Sequence, residues 1–418
     1  MSDYNWFRLD NAAKIYPVIQ TERWSPIFRM TAIMKEPVSR ELLQRALDSL
    51  SERFPSFYVR IRTGMFWYYL ERLSAAPRVE DDVINPCGAM TKGEPLFRVR
   101  CHENRISLEM HHVVTDGTGG LTFFKTLLAQ YLRMAGHDIP CDRGVLDPTD
   151  RPDDEELEDA FMRFSEMKIL PPRMEQRAYK IRGTRLPMDF MRITTGTMRA
   201  SEVHAAAKRH GATVTEFLTA LLLQCVYKIQ LADGHPQRPV KVSVPVNLRR
   251  YYGTRTLRNF SQYLNPGIDP QYGEFTFEEI LSQVHHYMRL MYTEKNLNAR
   301  ISKNVADEKN VVLRFVPLFV KNAAIFFEWS RIGENLFSTT LSNMGVVDMP
   351  DELAQHIERM DFALHTARRN KCECAVLTFG DTMSLSFSST ISERYLERLF
   401  FTALVKNSIH VLVESNEL

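Results

Sequence analysis

Residues 105–117 constrain the fold of this chain more than any other stretch. In Arg105-Ile106-Ser107-Leu108-Glu109-Met110 apolar and polar residues alternate, so Ile106, Leu108 and Met110 share one face of a strand. The alternation runs into His111-His112-Val113-Val114-Thr115-Asp116-Gly117, where the final Asp-Gly is turn chemistry. Gly119-Gly120 then gives slack, and Leu121, Phe124, Leu128 and Tyr131 recur at helical spacing. A strand must end, turn and hand over to a helix within this one stretch. Two histidines sit at the handover, with a carboxylate four residues after the second. A rigid strand aims such side chains, and the loop leaves them room.

Adjacent strand residues point to opposite faces, so His111 and His112 cannot easily share one ligand or one metal. One of them faces a cavity while the other packs; the residues alone leave open which. Imidazole titrates near neutrality, which suits a general base. Asp116 either orients that imidazole or holds the turn through a cation elsewhere. Gly117 permits a positive φ and a close backbone approach. His112-x-x-x-Asp116 offers no evident third ligand, so a metallohydrolase fits poorly and no metal is expected.

Bulk properties exclude several other classes. At 418 residues the chain is long enough for two domains with substantial cores. A hydrophobic content of 44% with 25% charged residues is that of a globular protein. The net charge of +2 gives nucleic-acid binding no support. Cys87, Cys101, Cys141, Cys225, Cys372 and Cys374 form no C-x-x-C pair, which fits a reducing compartment. Cys372-x-Cys374 has strand spacing and reads as packing. The N-terminus lacks a basic region followed by an apolar core, so no signal peptide is expected. The most apolar run, residues 311–327, is interrupted by Arg314 and Lys321, so no transmembrane segment is expected. A cytoplasmic location is the default expectation.

The rest of the chain reads as alternating strands and helices. Strands are expected at 26–34, 96–101 and 105–110, and a hairpin at 57–61 and 65–70. Ser39 can cap a helix whose stripe is Leu42, Leu43, Ala46, Leu47 and Leu50. Another helix ends near Gly136. Trp6 and Trp67 read as core or lid anchors before binding-site aromatics. Residues 147–175 are acidic and Pro-rich, Pro171-Pro172-Arg173 included, and read as a solvated crossover linker. Beyond it the pattern predicts a strand at 188–198, helices at 201–210 and 215–229, and a buried strand at 241–246. A long helix at 275–297, a hairpin at 372–378 and 383–389, and a last helix from a Ser392 cap to 404 follow. The linker divides the chain into residues 1–175 and 176–418.

Several motifs together give the chain a relative in kind. His111-His112-x-x-x-Asp116-Gly117 resembles the HHxxxDG motif of the chloramphenicol acetyltransferase-like acyltransferases, which include condensation domains, the plant BAHD enzymes and the alcohol acetyltransferases. Val244-Pro245-Val246-Asn247-Leu248-Arg249, then Thr256-Leu257-Arg258-Asn259-Phe260, is similar to the family's "PVxLR … TLGNF" segment, with Arg258 where Gly is usual. Leu341-Ser342-Asn343-Met344-Gly345 is similar to its "LSNLG" segment, and Glu94-Pro95-Leu96-Phe97-Arg98-Val99 precedes the histidines as in the family. The likeness covers nearly the whole chain and is nearest the alcohol acetyltransferase branch. The BAHD "DFGWG" signature is absent; Thr378-Phe379-Gly380-Asp381 is a superficial echo.

The resemblance implies an α/β fold, an α+β sandwich of two similar halves with a mixed sheet each and an active-site tunnel between them. It implies an acyltransferase that moves an acyl group from acyl-CoA to an alcohol, without an acyl-enzyme and without a tightly bound cofactor. The implied general base is His112, with His111 packed. The implied role of Asp116 is a loop-holding salt bridge, for which Arg249 is the matching arginine. Ser342 and Asn343 are candidate oxyanion donors, weighed equally against turn formers. Arg250, Arg255 and Arg258 could meet coenzyme A phosphates, but a solvated loop is the plainer reading. His285-His286 has no companion residues and reads as surface or packing. The partners implied are acyl-CoA and a small-molecule alcohol. The alternatives are a carrier-protein thioester or an amine acceptor, or a non-catalytic scaffold of the same fold, against which the intact histidine motif argues.

Overall fold

Alternating apolar segments assemble three sheets in the computed structural model, which describes residues 5–166, 175–234, 238–309, 315–331 and 333–417. The first-half sheet has the order Ile357–Leu364, Ile27–Met34, Arg105–His111, Phe97–His102 and Glu80–Asp81. It is antiparallel except at its last pair. Phe28, Met30, Ala32, Ile106, Leu108 and Met110 share one face and join the first core with Leu43 and Leu47 of the helix Arg40–Ser49 and Phe123, Phe124 and Leu127 of the helix Gly117–Met134. Ser39 Oγ caps the former by accepting from the Leu42 amide. A three-stranded sheet of Trp6–Arg8, Tyr68–Arg72 and Val59–Thr63 lies beside them.

The second-half sheet has the order Ser261–Leu264, Val240–Asn247, Thr339–Val346, Cys372–Phe379, Thr382–Ser389, Arg192–Arg199 and Val411–Ser415, with Gly267–Ile268 also on Val240–Asn247. It is mixed: Thr339–Val346 runs parallel to both its neighbours. Val242, Leu341, Cys372, Cys374, Leu385 and Phe387 face a second core filled by the helices Val214–Ala232, Phe277–Met291 and Tyr395–Lys406. Val214–Ala232 is long and apolar enough to cross a membrane, yet 72% of its most apolar window is buried in this core.

The structure corrects several expectations. The division at 175/176 does not hold for the sheets: Ile357–Leu364 returns to the first half as the edge strand beside Ile27–Met34, from Ile357↔Met34 to Leu364↔Phe28. Its apolar residues Ile357, Met360 and Phe362 belong to the first core. The expected helix at 275–297 is two, Phe277–Met291 and Glu294–Lys309, because Thr293 accepts from the Asn296 amide and starts a new helix. Ser392 does not cap the last helix; its amide and hydroxyl both donate to the Thr184 carbonyl. Trp6 is 55% exposed, so it anchors no core, and Trp67 is covered by the Lys321 ammonium 3.4 Å from its ring.

The acidic linker is docked through its first part. A capping box at Asp153 and Glu156 starts the short helix Asp154–Leu157. Glu156 is buried and pairs bidentately with Arg53, at 2.6 and 2.8 Å. Arg255 pairs with Asp153 and Glu155, and the Thr256 hydroxyl donates to the Glu158 carbonyl. This segment is therefore a strap from the first half to residues 254–257 of the second, not a solvated run. Pro171-Pro172-Arg173 and the start of the 311–327 run lie outside the described residues.

Candidate active site

The strand Arg105–His111 ends on two histidines with different surroundings. His111 is fully buried. Its Nδ1 accepts from the Val113 amide, which leaves the proton on Nε2, 3.0 Å from Gln20 Oε1. Burial, and then the neighbouring His112, push its pKa down to about 3. Both nitrogens are spent on structure.

His112 lies just past the strand, and its backbone is held from both halves. Its amide donates to the Pro26 carbonyl at 2.8 Å, and its carbonyl accepts from Asn259 Nδ2 at 2.9 Å. Tyr16 stacks on the ring at 5.7 Å between centroids, and Phe28 tilts against it at 4.9 Å. Nδ1 is buried, and no described residue sits at hydrogen-bonding geometry to it. Burial pushes the pKa down to about 4, while the Asp116 charge and the Thr115 backbone favour the protonated ring more weakly. The imidazole is therefore neutral across the physiological range.

Asp116 turns away from that ring. Its Oδ1 accepts from the Thr118 and Gly119 amides at 3.1 and 3.2 Å and so caps the helix Gly117–Met134. Its Oδ2 accepts from Arg249 Nη1 at 2.9 Å and from the Phe260 amide at 2.8 Å. The pair with Arg249 is single, because the other carboxylate oxygen belongs to the helix terminus. Arg249 also donates to the Thr256 carbonyl at 2.7 Å and to the Arg258 carbonyl. One guanidinium thus gathers the loop that carries Asn259.

The glycines serve close packing, not slack. Gly117, Gly119 and Gly120 are helical, and none has a positive φ. A Cβ on Gly117 would lie 2.7 Å from Met344 Sδ, on Gly119 2.3 Å from the Leu257 carbonyl oxygen, and on Gly120 2.6 Å from the Phe28 ring. The ring that packs on His112 therefore depends on the missing side chain of Gly120.

Three residues unremarked in the sequence, Asp10, Tyr16 and Tyr263, complete the surroundings of His112. Asp10 is buried; its Oδ2 accepts from Asn259 Nδ2 at 3.1 Å, and Arg258 Nε lies 3.5 Å away. Arg258, in place of the usual Gly, is thus a buried counter-charge. Arg255 is taken by the strap and Arg250 is exposed, so the three arginines form no cluster. Tyr263 interacts with Tyr16, whose ring stacks on His112, and the nearby charges of Asp116 and Glu373 act on it. Burial raises the pKa of the Tyr263 hydroxyl, yet 43% of the residue's surface is accessible. No sequence signal marked Tyr16 or Tyr263, since neither belongs to a motif.

Ser342 and Asn343 lie in the strand Thr339–Val346, not in a turn. Asn343 Nδ2 donates to Thr215 Oγ1 at 3.1 Å, and its Oδ1 accepts from the Gly345 amide at 2.9 Å. Its amide therefore fixes the irregular end of the strand. Ser342 pairs in register with Ala375, which faces the first core. His285 pairs with Glu216, and His286 bonds the Ser282 carbonyl. Surface depressions of about 290 and 620 Å³ in the second half hold none of the motif residues.

Comparison with known proteins now bears on this geometry. The sequence matches no protein-family model and no curated protein. Solved structures do match. F. graminearum TRI101 complexed with coenzyme A and deoxynivalenol superposes with a TM-score of 0.64 at 12% identity, over 97% of this chain and 99% of that one. F. sporotrichioides TRI101 complexed with coenzyme A and T-2 gives 0.62 at 11% identity, over 98% and 99%. Polyketide synthase associated protein 5 from M. tuberculosis gives 0.55 at 14% identity, over 96% and 98%. The chain has the chloramphenicol acetyltransferase-like fold of two halves, shared end to end with these proteins.

Proposed function

We propose that this chain is an acyltransferase that moves an acyl group from acyl-CoA to the hydroxyl of a small-molecule alcohol, with His112 as general base. One observation carries the reading: His112 is kept neutral by burial and bolted by its backbone to both halves, while Asp116 is turned to Arg249. A neutral imidazole can take the alcohol proton as the oxygen attacks the thioester carbonyl. Asp116 and the Thr115 backbone favour the imidazolium as it forms, and the imidazolium then returns its proton to the leaving thiolate. In this reading both substrates meet at His112, beside Tyr16, so no acyl-enzyme is required. The Ser342 hydroxyl is the oxyanion donor of choice, since the Asn343 amide is already spent.

The fold shared with the coenzyme A-bound TRI101 structures supports coenzyme A as the donor's carrier. A second reading, a carrier-protein thioester, is supported by likeness to the nonribosomal peptide synthetase FmoA3, at 13% identity with a TM-score of 0.60 over 96% of this chain and 44% of that one.

The test is thiol release from a panel of acyl-CoAs with alcohols. His112→Ala should lower it by roughly 100- to 10,000-fold in folded protein. His111→Gln should act mainly through stability. Activity should be flat above neutrality and fall as pH drops through about 4. Loss in folded His111→Gln with retention in His112→Ala would reverse the assignment.

A further inference from the structure

The inner face of the second-half sheet carries a polar row that the reaction above does not use. Register sets Thr340 beside Ser243, Thr340 also beside Glu373 (one residue before the Leu341↔Cys374 pair), and Glu373 beside Ser388. The flanking residues Val242, Leu341, Cys372, Cys374 and Phe387 point into the second core, so the row points the other way, toward the first half. Ala375 and Leu377, on the same face, join the first core, and Ser384 Oγ donates to the Met360 carbonyl of the exchanged strand.

The row is buried and unmatched. Ser243 and Ser388 are fully buried and Glu373 is 3% exposed. Ser243 Oγ, Ser388 Oγ and both carboxyl oxygens of Glu373 have no hydrogen-bond partner at proper geometry among the described residues. Thr340 stands beside Glu373 and favours its charged form without meeting that geometry. The charged groups around it are occupied. Lys180 donates to the Glu334 and Phe337 carbonyls and to Asn370, and Glu334 accepts from the Arg368 and Arg369 amides. Burial above all raises the Glu373 pKa to about 7, with Glu334 adding to it and Lys180 opposing. Four buried polar atoms in one row need partners, and an unmatched buried carboxyl is the costliest of them.

Two links tie the row to His112. Tyr263 pairs in register with Pro245, which shares a strand face with Ser243, and its neighbour Tyr16 stacks on His112. Asn247, on the same face of its strand as Ser243, donates to Thr118 Oγ1 at 3.1 Å, in the first turn of the helix that follows His112. The row therefore borders the interior that the base faces.

We propose that Ser243, Thr340, Glu373 and Ser388 form the polar wall of the acceptor site and select an acceptor that carries a second hydroxyl besides the one acylated. The inference rests on the acyltransferase reading and deepens it. Serine and threonine hydroxyls both donate and accept, and Glu373 accepts, so a diol or polyol edge satisfies all four. An apolar mono-alcohol would leave them unmatched, which disfavours it roughly 10- to 100-fold.

The experiment measures thiol release from acetyl-CoA and octanoyl-CoA with cyclohexanol, cyclohexane-1,2-diol and 2-aminocyclohexanol, and with water alone. The wild type should show kcat/KM for the diol roughly 10- to 100-fold above that for cyclohexanol. Glu373→Gln and Ser388→Ala should erase most of that ratio, through the KM of the diol, with a much smaller change in kcat/KM for cyclohexanol. If Glu373 is merely structural, Glu373→Gln will shift the melting temperature and spare the ratio, which overturns the inference. Preference for the amino alcohol that depends on Glu373 would overturn the hydroxyl assignment in favour of a cation site. Hydrolysis without acceleration by the diol overturns the wall and keeps the acyltransferase. Absence of His112-dependent thiol release with any of these overturns both.

Discussion

Replacing Asp116 by Asn tests how the motif carboxylate acts. Its Oδ1 bonds, to the Thr118 and Gly119 amides, survive in Asn, which caps helices as well as Asp does. The amide then stands where Oδ2 accepted from Arg249 at 2.9 Å and from the Phe260 amide at 2.8 Å, so donor meets two donors. Both residues of the pair are about nine-tenths buried, at 10% and 7% side-chain exposure. Losing one partner of such a pair costs about 3–5 kcal/mol. Arg249→Met loses the pair and also the bonds to the Thr256 and Arg258 carbonyls, so it should cost about 1–2 kcal/mol more. The Phe260 bond is lost only when Asp116 changes, so the coupling should be about half the Asp116→Asn cost, near 2 kcal/mol. Urea unfolding of the two singles and the double measures it, with thiol release alongside. Activity should fall in each, because the loop that loosens carries Asn259 and through it the His112 carbonyl. Stability losses that add to within about 0.5 kcal/mol would show that the pair does not couple, and the loop-anchor argument would fail.

Two further outcomes follow from the same geometry. Folded His111 and His112 refuse protons until about pH 3 and about pH 4, whereas the unfolded chain takes them up near 6.5. Their contribution to stability is complete above pH 6.5 and is lost as pH falls, with a slope of up to about 1.4 kcal/mol per pH unit each. Urea midpoints between neutrality and about pH 5 should show this slope, and His111→Gln should flatten it; an unchanged slope would remove the burial argument. Gly120→Ala should cost about 1–3 kcal/mol and displace Phe28 from His112, because the added methyl would meet its ring at 2.6 Å. Wild-type thiol release in that variant would show that the Phe28 contact does not position the base.

Much of this was legible in the sequence because it is local. The alternation of Ile106, Leu108 and Met110, the Ser39 cap and the hairpin at 372–389 follow from spacing and turn chemistry alone. The exchange of Ile357–Leu364 was not legible, since a short amphipathic strand does not state which sheet it joins. The acidic strap misled for a related reason. A solvated charge run and one that pairs with Arg53 and Arg255 look alike until the partners are placed. The Asp116–Arg249 pair was expected from the resemblance and is present, while Asp10, Tyr16 and Tyr263, which gather around His112, lie far from it in sequence and carry no local pattern. Gly119 and Gly120 were misread as slack because their close approach to the Leu257 carbonyl and the Phe28 ring is a tertiary fact.

The departure at Arg258 shows how the placement of His112 depends on both halves. His112 is oriented by a first-half carbonyl at Pro26 and a second-half amide at Asn259. Asn259 can aim that amide at His112 because its Nδ2 also donates to Asp10. Burial raises the pKa of Asp10, and the charge of Arg258 is the main force opposing it. With Gly at 258, as the motif usually has, the buried carboxyl would lose that counter-charge and favour the protonated form. A protonated Asp10 has one oxygen that donates, and Asn259 would have to compete for the other. Arg258 also donates to the Arg8 carbonyl at 2.7 Å, which ties the segment before Asp10 to the same loop. Arg258 and Asp10 therefore form one unit, and the arginine is what keeps the carboxylate able to hold Asn259 on His112.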